Sequence, residues 1–537
     1  MAGRGGVAFG VAFGAAGFAA GWGAAGLAAL FGASPFGRCT VKGFLHFGHL
    51  MERPAGGTRE SSSSYAAAQF GQEIFTRRRP EVTLASACCL ANETAGLSWY
   101  RRVLMRRGGR AIVIGGGLAG LACARELGSA CTLLEAEDRV GGLCRTEVIE
   151  GFSFDWTGHW LHARDPEMRD LIAGRWLRGN LLDVQRRARI YSEGVWTTFP
   201  YQFHLHGLPS RTISDCVLGF IDATLGPGGE ALRARPLKNA AEYILRHLGE
   251  GFARHFMFPY NEKLYTVPCE ELSPEWGGRF IPRPSLEEVV NGAAGPAPED
   301  VGYNASFWYP RQGGIEALPR AIAAELRADV RLAARVQQLD LAGRRVRLAS
   351  GEELAYDALV LTAPLPVCVR LLAEAPPPVR EAASRLRAVS VTVVEVGARD
   401  CGGERFHWAY FPGKEFAFYR IGSPSQVNPA LAPAGFRSFA VEFAHRGAPD
   451  TARLIEQAIE ALSRCGLVQR DQVVLSRART IPTAYVLFDR HHAQARATVQ
   501  GHFEQHGVEL AGRYGKWEYS SMEDALLSGR DAARNLA

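Results

Sequence analysis

The sequence has no C-x-x-C pair, and its 11 cysteines, an odd number, are scattered along 537 residues. This lack of paired cysteines argues against a disulfide framework and against a zinc site. We therefore expect a reducing, cytoplasmic setting and no bound metal. The sequence also shows no convincing Ser/His/Asp constellation of the kind that nucleophilic catalysis uses.

Runs of one charge are equally scarce. The formal net charge is +6, with 61 Lys and Arg against 55 Asp and Glu, which is small for this length. No Lys/Arg block is long enough to indicate nucleic acid, and a modest excess of arginine suits an anionic small ligand. We expect a small-molecule substrate and no nucleic-acid partner, and the oligomeric state stays open.

Charged and long aliphatic side chains are few in residues 5–36, an uncharged Gly/Ala-rich stretch. The stretch is long enough to cross a bilayer, but its many glycines and few Leu and Ile make insertion marginal. Residues 1–104 as a whole have three open interpretations: a non-native or mis-started extension, a disordered tail, or a membrane anchor. We do not expect a membrane-bound protein.

Residues 110–146 contain a dense set of glycines between apolar runs. Ala111–Ile114 predicts a strand, residues 121–127 predict a helix, and a second apolar run, Cys131–Leu134, ends at Glu135. The G-x-G-x-x-G spacing is formed by Gly115, Gly117 and Gly120. Such a turn lets backbone amides face a pyrophosphate, while the acid reaches a ribose hydroxyl. The stretch therefore predicts a dinucleotide site.

The residues that follow indicate which dinucleotide is bound. Residues 139–142, RVGG, with Arg145 and the threonine after it, resemble the R-x-G-G-R-x-x-T extension of flavin amine oxidases, protoporphyrinogen oxidases and UDP-galactopyranose mutases. The resemblance implies FAD, with Gly141, Gly142 and Arg145 among its contacts. It also implies an α/β fold, in which a discontinuous Rossmann-like FAD-binding domain carries an antiparallel-sheet substrate domain and a helical insertion.

Two later segments resemble other parts of the same cofactor site. Val336 resembles the position whose backbone flanks the adenine in this superfamily. Residues 508–515 read as a strand and a tight glycine turn, and residues 517–524 lead into a C-terminal helix. In the mutases and oxidases this segment places helix amides at the O2 and N1 edge of the flavin. The resemblance assigns these contacts to Gly512, Arg513, Tyr519 and the backbone of Met522.

Residues 407–429 are the most informative about the substrate. Their period-two pattern predicts two strands joined by a turn at residues 412–413, with Tyr410 on the first strand and Arg420 on the second. The stretch resembles the W-x-Y-F-P hairpin and F-Y-R strand that hold the nucleotide sugar in eukaryotic mutases. Arg420 matches the arginine on the diphosphate, and its planar fork suits phosphate oxygens. The next segment departs from the mutase S-N-Y-S-P pattern, which leaves the sugar open.

Further residues complete the predicted substrate side. Residues 481–485 resemble the mutase strand whose tyrosine reaches the diphosphate. His159 resembles a histidine that lies against the flavin ring in the mutases, and a packed, hydrogen-bonded histidine stays as the alternative. The predicted catalytic set is Arg420, Tyr410, Tyr485, Tyr519 and His159.

Two functions stay open. The first is a UDP-galactopyranose mutase-like isomerase that uses reduced flavin N5 on a nucleotide sugar. The alternative is an FAD-dependent oxidoreductase of the amine oxidase or protoporphyrinogen oxidase type, which needs an apolar cavity and no diphosphate clamp. An arginine pair facing an aromatic cavity would favour the mutase, whereas an arginine turned outward into a salt bridge would favour the oxidase.

The patterns also predict how the chain is divided. Residues 209–248 have helical periodicity, and residues 256–285, with aromatics among prolines, read as an irregular packed loop. The predicted segments are the leader at 1–104, FAD-binding parts at 105–200, 301–370 and 486–537, a helical substrate-side insertion at 201–300, and an antiparallel-sheet substrate domain at 371–485.

Overall fold

The computed structural model describes residues 109–277, 281–298 and 305–536, and the predicted leader lies outside them. The strands are β1 Ala111–Ile114, β2 Cys131–Leu134, β3 Thr146–Ile149, β4 Phe152–Asp155, β5 Leu181–Gln185, β6 Ala188–Ser192, β7 Val195–Thr198, β8 Ser306–Pro310, β9 Asp329–Arg331, β10 Val336–Asp340, β11 Arg345–Leu348, β12 Glu353–Ala355, β13 Ala358–Leu361, β14 Ala388–Arg399, β15 Trp408–Tyr410, β16 Arg420–Gly422, β17 Phe436–His445, β18 Val473–Val486 and β19 Glu509–Leu510. The helices are α1 Leu118–Leu127, α2 Pro166–Arg169, α3 Ser210–Thr224, α4 Glu230–Arg233, α5 Ala240–Phe252, α6 Phe258–Tyr265, α7 Leu286–Ala294, α8 Ala317–Ala324, α9 Leu365–Leu371, α10 Pro377–Arg385, α11 Pro424–Val427, α12 Thr451–Arg464, α13 His492–Gln505, α14 Gly512–Gly515 and α15 Met522–Leu536.

A five-stranded parallel sheet has the order β19-β13-β1-β2-β9. Strands β1, β2 and β13 are apolar runs buried at every position, as expected for parallel strands covered on both faces. Ala111 and Val113 of β1 pack under α1, α8 and α15, whereas Ile112 and Ile114 face α9, α10 and α13. The strands come from three separated parts of the chain, which confirms the predicted discontinuous fold.

A seven-stranded sheet has the order β18-β14-β17-β16-β15-β6-β7, and its pairs are antiparallel except for β15 with β6. A ladder without register shifts joins β14 to β17, from Ser390 opposite His445 to Arg399 opposite Phe436. One face of this sheet packs on α12, and the other packs on α6. The predicted antiparallel sheet is confirmed.

The hairpin of β6 and β7 belongs to this second sheet, although the prediction placed it in the first FAD-binding part, residues 105–200. The turn is as expected, because Glu193 and Gly194 both have positive φ, 55° and 79°. Its partner is β15, with Ala188 opposite Trp408. Alternation along a hairpin shows which residues share a face, but it does not show which distant strand the hairpin will join.

The helical insertion comprises α3 to α7, so the predicted helical pattern of residues 209–248 is confirmed. The prediction of an irregular loop for residues 256–285 is wrong in its first part, which forms α6. Pro259 lies in the first turn of α6, directly after the π-helical turn Ala253–Met257 that joins α5 to α6. Within the described ranges, no helix has both the length and the apolar character that crossing a membrane requires.

Candidate active site

The turn between β1 and α1 brings the three predicted glycines together. Gly115 has a φ of 106°, which favours glycine. A Cβ on Gly120 would lie 1.8 Å from the Gly115 carbonyl oxygen, so glycine is what lets α1 pack this close to the turn. Gly117 is the N-cap residue of α1, and the helix therefore presents its unpaired first amides at the turn.

A second loop closes one side of this turn. The Gly141 amide donates a hydrogen bond of 2.8 Å to the Gly116 carbonyl. A Cβ on Gly142 would lie 3.2 Å from the Gly117 Cα, so two glycine backbones face each other. Arg145 follows in the same loop and is 4% exposed. The backbones of the two loops thus pack against each other, with a buried cation in the second loop.

Glu135 and Val336 lie at the carboxyl edge of the parallel sheet. The Glu135 carboxylate accepts hydrogen bonds from the amides of Gly116 at 2.6 Å and Glu137 at 2.9 Å. The chain that enters β10 at Val336 runs alongside, where the Ala334 amide donates to the Glu135 carbonyl at 2.8 Å. Ligands of such folds bind at this edge.

The C-terminal segment returns to the same turn. Gly512 packs against α1, since a Cβ at Gly512 would lie 2.7 Å from the Ala119 Cβ. Met522 is the first residue of α15, and the Ser521 hydroxyl caps this helix by accepting the amide of Asp524 at 3.1 Å. The predicted cofactor residues at the two ends of the described chain are therefore close in space.

Three buried polar atoms of these segments have no hydrogen-bond partner among the described residues: Nε of Arg145, Nε of Arg513 and Oγ of Ser520. An unpaired buried donor is costly and indicates a missing partner. A ligand with phosphate and carbonyl oxygens would supply acceptors for them, and the unpaired first amides of α1 lie at the same turn. The residues present therefore fit a dinucleotide cofactor.

The predicted substrate residues of the second sheet lie in one row. Tyr410 of β15 is opposite Arg420 of β16, which is opposite Glu442 of β17. Arg420 donates to the Glu442 carboxylate from Nε at 3.0 Å and from Nη2 at 2.9 Å, and Glu442 is 2% exposed. Nη2 also donates to the Tyr485 hydroxyl at 3.4 Å. Nη1 is the guanidinium nitrogen that Glu442 does not engage.

The connection between β15 and β16 is longer than the predicted turn at residues 412–413. It runs over residues 411–419, so Tyr419 belongs to it and not to a strand. The Tyr419 hydroxyl donates to Glu442, beside Arg420. The connection is long because three of its side chains are buried in the core under the sheet, namely Phe411, Phe416 and Phe418.

Arg513 lies in a cage of tyrosines. Its guanidinium carbon is 4.7 Å from the ring centroid of Tyr519, 5.4 Å from that of Tyr485 and 5.7 Å from that of Tyr514. Its hydrogen bonds go to two backbone carbonyls, and no carboxylate of the described segments lies within salt-bridge distance of it. A positive charge held only by ring faces and carbonyls is suited to an anionic ligand.

His159 lies near both arginines. Its Nδ1 donates to the Thr157 carbonyl at 3.1 Å, which leaves Nε2 as an acceptor in the neutral ring. Burial, together with the charges of Arg513 and Arg420, lowers the pKa of His159 to about 4, and the hydrogen bond to Thr157 opposes the shift. The histidine is therefore neutral at physiological pH, and the three side chains face one region.

Tyr410 and Tyr519 complete this region. The Trp408 Nε1 donates to the Tyr410 hydroxyl at 3.0 Å. Burial raises the pKa of the Tyr410 phenol, and Arg420 opposes this shift, so the phenol is protonated at neutral pH. The structure thus brings the five predicted catalytic residues together, with two arginines turned towards aromatic rings and one of them paired with a buried carboxylate.

The family model of flavin containing amine oxidoreductases matches residues 118–537. The chain belongs to this family. It is therefore an enzyme of the flavin amine oxidase superfamily, and its cofactor is FAD.

Individual relatives of this flavoprotein carry different names. Coproporphyrinogen III oxidase of Mycobacterium bovis is 26% identical over 320 residues, which are 55% of this chain and 67% of that protein. The 4,4'-diapolycopene oxygenase of Methylomonas sp is 25% identical over 434 residues, which are 70% and 84% of the two chains. The crystal structure of reduced UDP-galactopyranose mutase matches with a TM-score of 0.73 and 24% identity, over 79% of this chain and 94% of that chain. At that identity the likeness shows a shared fold.

Sequence reasoning missed Glu442, the buried partner of Arg420. The available signal was a single acidic residue within the apolar residues 439–444 of β17. An acid in such a strand needs a buried partner. The identity of that partner depends on the register between β16 and β17, which the sequence does not show.

Proposed function

We propose that this amine oxidoreductase family member acts on an anionic nucleotide sugar, in the manner of a UDP-galactopyranose mutase. The observation that supports the proposal is the guanidinium of Arg420, which donates to Glu442 from Nε and Nη2 and leaves Nη1 without a bond to that carboxylate. Arg513, which the prediction assigns to FAD, lies in the same region and adds a second positive charge there. An arginine beside an aromatic wall formed by Tyr410, Tyr419 and Tyr485 suits the phosphates and the flat base of a nucleoside diphosphate.

The residues that would hold FAD are those of the two glycine loops, the sheet edge and the C-terminal segment: Gly115, Gly117, Gly120, Glu135, Gly141, Gly142, Arg145, Val336, Gly512, Arg513 and Met522. When bound, FAD supplies the redox-active ring, whose reduced form carries a nucleophilic nitrogen. Binding and orientation of the substrate are left to the side chains of the chain itself.

Each side chain of the second sheet has a distinct task in this proposal. Glu442 fixes the fork of Arg420 through two hydrogen bonds, so that the third nitrogen has one direction in which to meet a phosphate oxygen. Tyr410 is a neutral phenol that donates to the ligand, and its orientation is held by Trp408. His159 is neutral and offers Nε2 as an acceptor for a sugar hydroxyl.

A second candidate is an FAD-dependent oxidoreductase of the amine oxidase or protoporphyrinogen oxidase type. The names of the curated relatives favour it, since one is a coproporphyrinogen III oxidase. Glu442 also favours it, because a buried carboxylate offsets the charge of Arg420 without any anionic ligand. In this case the substrate would pack against the rings of Tyr410, Tyr419 and Tyr485 and would need no diphosphate.

Ligand binding tests the proposal without assuming the reaction. The FAD-loaded protein is titrated with UDP and, as a matched control, with uridine, and the flavin absorbance reports binding. Because only UDP has phosphates for Arg420, we expect it to bind at least ~10-fold more tightly than uridine. Equal affinities, or no binding of either ligand, would contradict a nucleotide-sugar substrate and favour the oxidase.

A further inference from the structure

The connection between β15 and β16, residues 411–419, sends its aromatic side chains into the core and directs several carbonyl groups towards α6. Phe411, Phe416 and Phe418 are all buried under the sheet. Two backbone hydrogen bonds lie within the connection, from the Phe411 amide to the Tyr419 carbonyl at 3.0 Å and from the Phe416 amide to the Gly413 carbonyl at 3.3 Å. Buried carbonyl oxygens need donors, and those of Phe411 and Phe418 receive theirs from outside the sheet.

Lys263 of α6 supplies that donor. Its Nζ donates to the carbonyl of Phe411 at 2.7 Å, to that of Phe418 at 3.3 Å and to that of Gly413. An ammonium group has three N–H donors, and here each has a backbone carbonyl of the same connection. Lys263 of the helical insertion thus links the beginning of residues 411–419, at Phe411, to Gly413 and to Phe418 near the end.

We propose that Lys263 is a positioning residue for the substrate site. Tyr410 directly precedes the connection, Tyr419 is its last residue and Arg420 directly follows it, so the carbonyls that Lys263 holds help to place the backbone that carries all three side chains. The further step, that these side chains receive a nucleoside diphosphate, rests on the proposed function. The role of Lys263 in fixing residues 411–419 does not depend on the proposed function.

The protonation state of Lys263 determines how many hydrogen bonds its Nζ can donate to the connection. Burial lowers the pKa of Lys263 to about 7, and Glu415, the charged side chain of the connection that acts on it, opposes the shift. Below that pH the amine is an ammonium with three donors. Above it the neutral amine has two donors and a lone pair, which repels a carbonyl oxygen. The connection is therefore held more firmly on the acid side of neutrality.

The test is hydrogen exchange, followed by mass spectrometry, on FAD-loaded protein carrying Lys263→Met. The matched control is Lys414→Met, which removes an exposed positive charge from the same connection. We expect exchange of residues 411–419 to be at least ~10-fold faster in Lys263→Met and near wild type in Lys414→Met. Unchanged exchange in Lys263→Met would overturn the proposal.

Two further measurements separate the possible causes. Lys263→Arg keeps a cation with several donors, so we expect it to keep more protection than Lys263→Met, and this comparison also serves if the Met variant loses FAD. Equal loss of protection in both variants would show that packing alone matters and would overturn the proposal. UDP affinity should fall together with protection, and if wild-type protein binds no UDP, the proposed function fails while the exchange result still decides the role of Lys263.

Discussion

The pair of Arg420 and Glu442 determines how the substrate side responds to mutation. Glu442 is buried, and Arg420 gives it two hydrogen bonds while the Tyr419 hydroxyl gives a third. Removing one partner of a buried ion pair leaves the other charge uncompensated, at a cost of about 3–5 kcal/mol. A single Arg420 variant therefore loses stability and any phosphate contact together.

A double variant separates the two effects. We expect Arg420→Met to lower the free energy of unfolding by about 3 kcal/mol, because it leaves the Glu442 carboxylate unpaired. Adding Glu442→Gln removes that charge and should restore most of the stability, yet UDP binding should stay lost. Urea unfolding and the UDP titration measure the two quantities. A double variant that is as unstable as Arg420→Met, or that binds UDP like wild type, would contradict this account.

Among the secondary-structure elements, β1, α1 and α15 depend on glycine for their close approach. A Cβ on Gly529 of α15 would lie 2.0 Å from the Ala119 carbonyl oxygen of α1. A Cβ on Gly120 would lie 1.8 Å from the Gly115 carbonyl oxygen. The obstacle is backbone in both cases, so it cannot turn aside as a flexible side chain would. The cofactor turn and the helix behind it are therefore fixed as one unit.

We expect Gly120→Ala to weaken FAD binding by at least ~5-fold, because the added methyl group forces α1 away from the turn. The matched control is Gly501→Ala in α13, where a Cβ would have no neighbour within 4 Å. The ratio of flavin to protein absorbance after dialysis measures the retained cofactor. Equal retention in the two variants would show that the turn tolerates a side chain.

The elements also show where sequence reasoning succeeds. The strand, glycine turn, helix and second strand at residues 111–134 could be predicted because each signal is local. The hairpin of β6 and β7 was recognised, but its place beside β15 was not, because strand pairing over a long sequence separation leaves no periodic signal. The same limit hid Glu442, whose role depends on lying opposite Arg420.

For the whole molecule, the parallel sheet and the antiparallel sheet contribute different chemistry to one region. The parallel sheet brings the two glycine loops and Glu135 to its carboxyl edge, and the C-terminal segment adds Arg513. The antiparallel sheet brings Tyr410 and Arg420, and both arginines act on His159. The family match and the fold show an FAD enzyme, and the arginine pair supports an anionic substrate.

The measurement that tests the central claim most directly is anaerobic turnover. The FAD-loaded protein is reduced with dithionite and mixed with UDP-galactopyranose, and the sugar nucleotides are separated by chromatography. Our account predicts the furanose isomer without net oxidation of the flavin, and no isomer from the double variant Arg420→Met/Glu442→Gln. Absence of the isomer with wild-type protein, together with oxygen-dependent turnover of an amine or a porphyrinogen, would contradict the account and establish the oxidase.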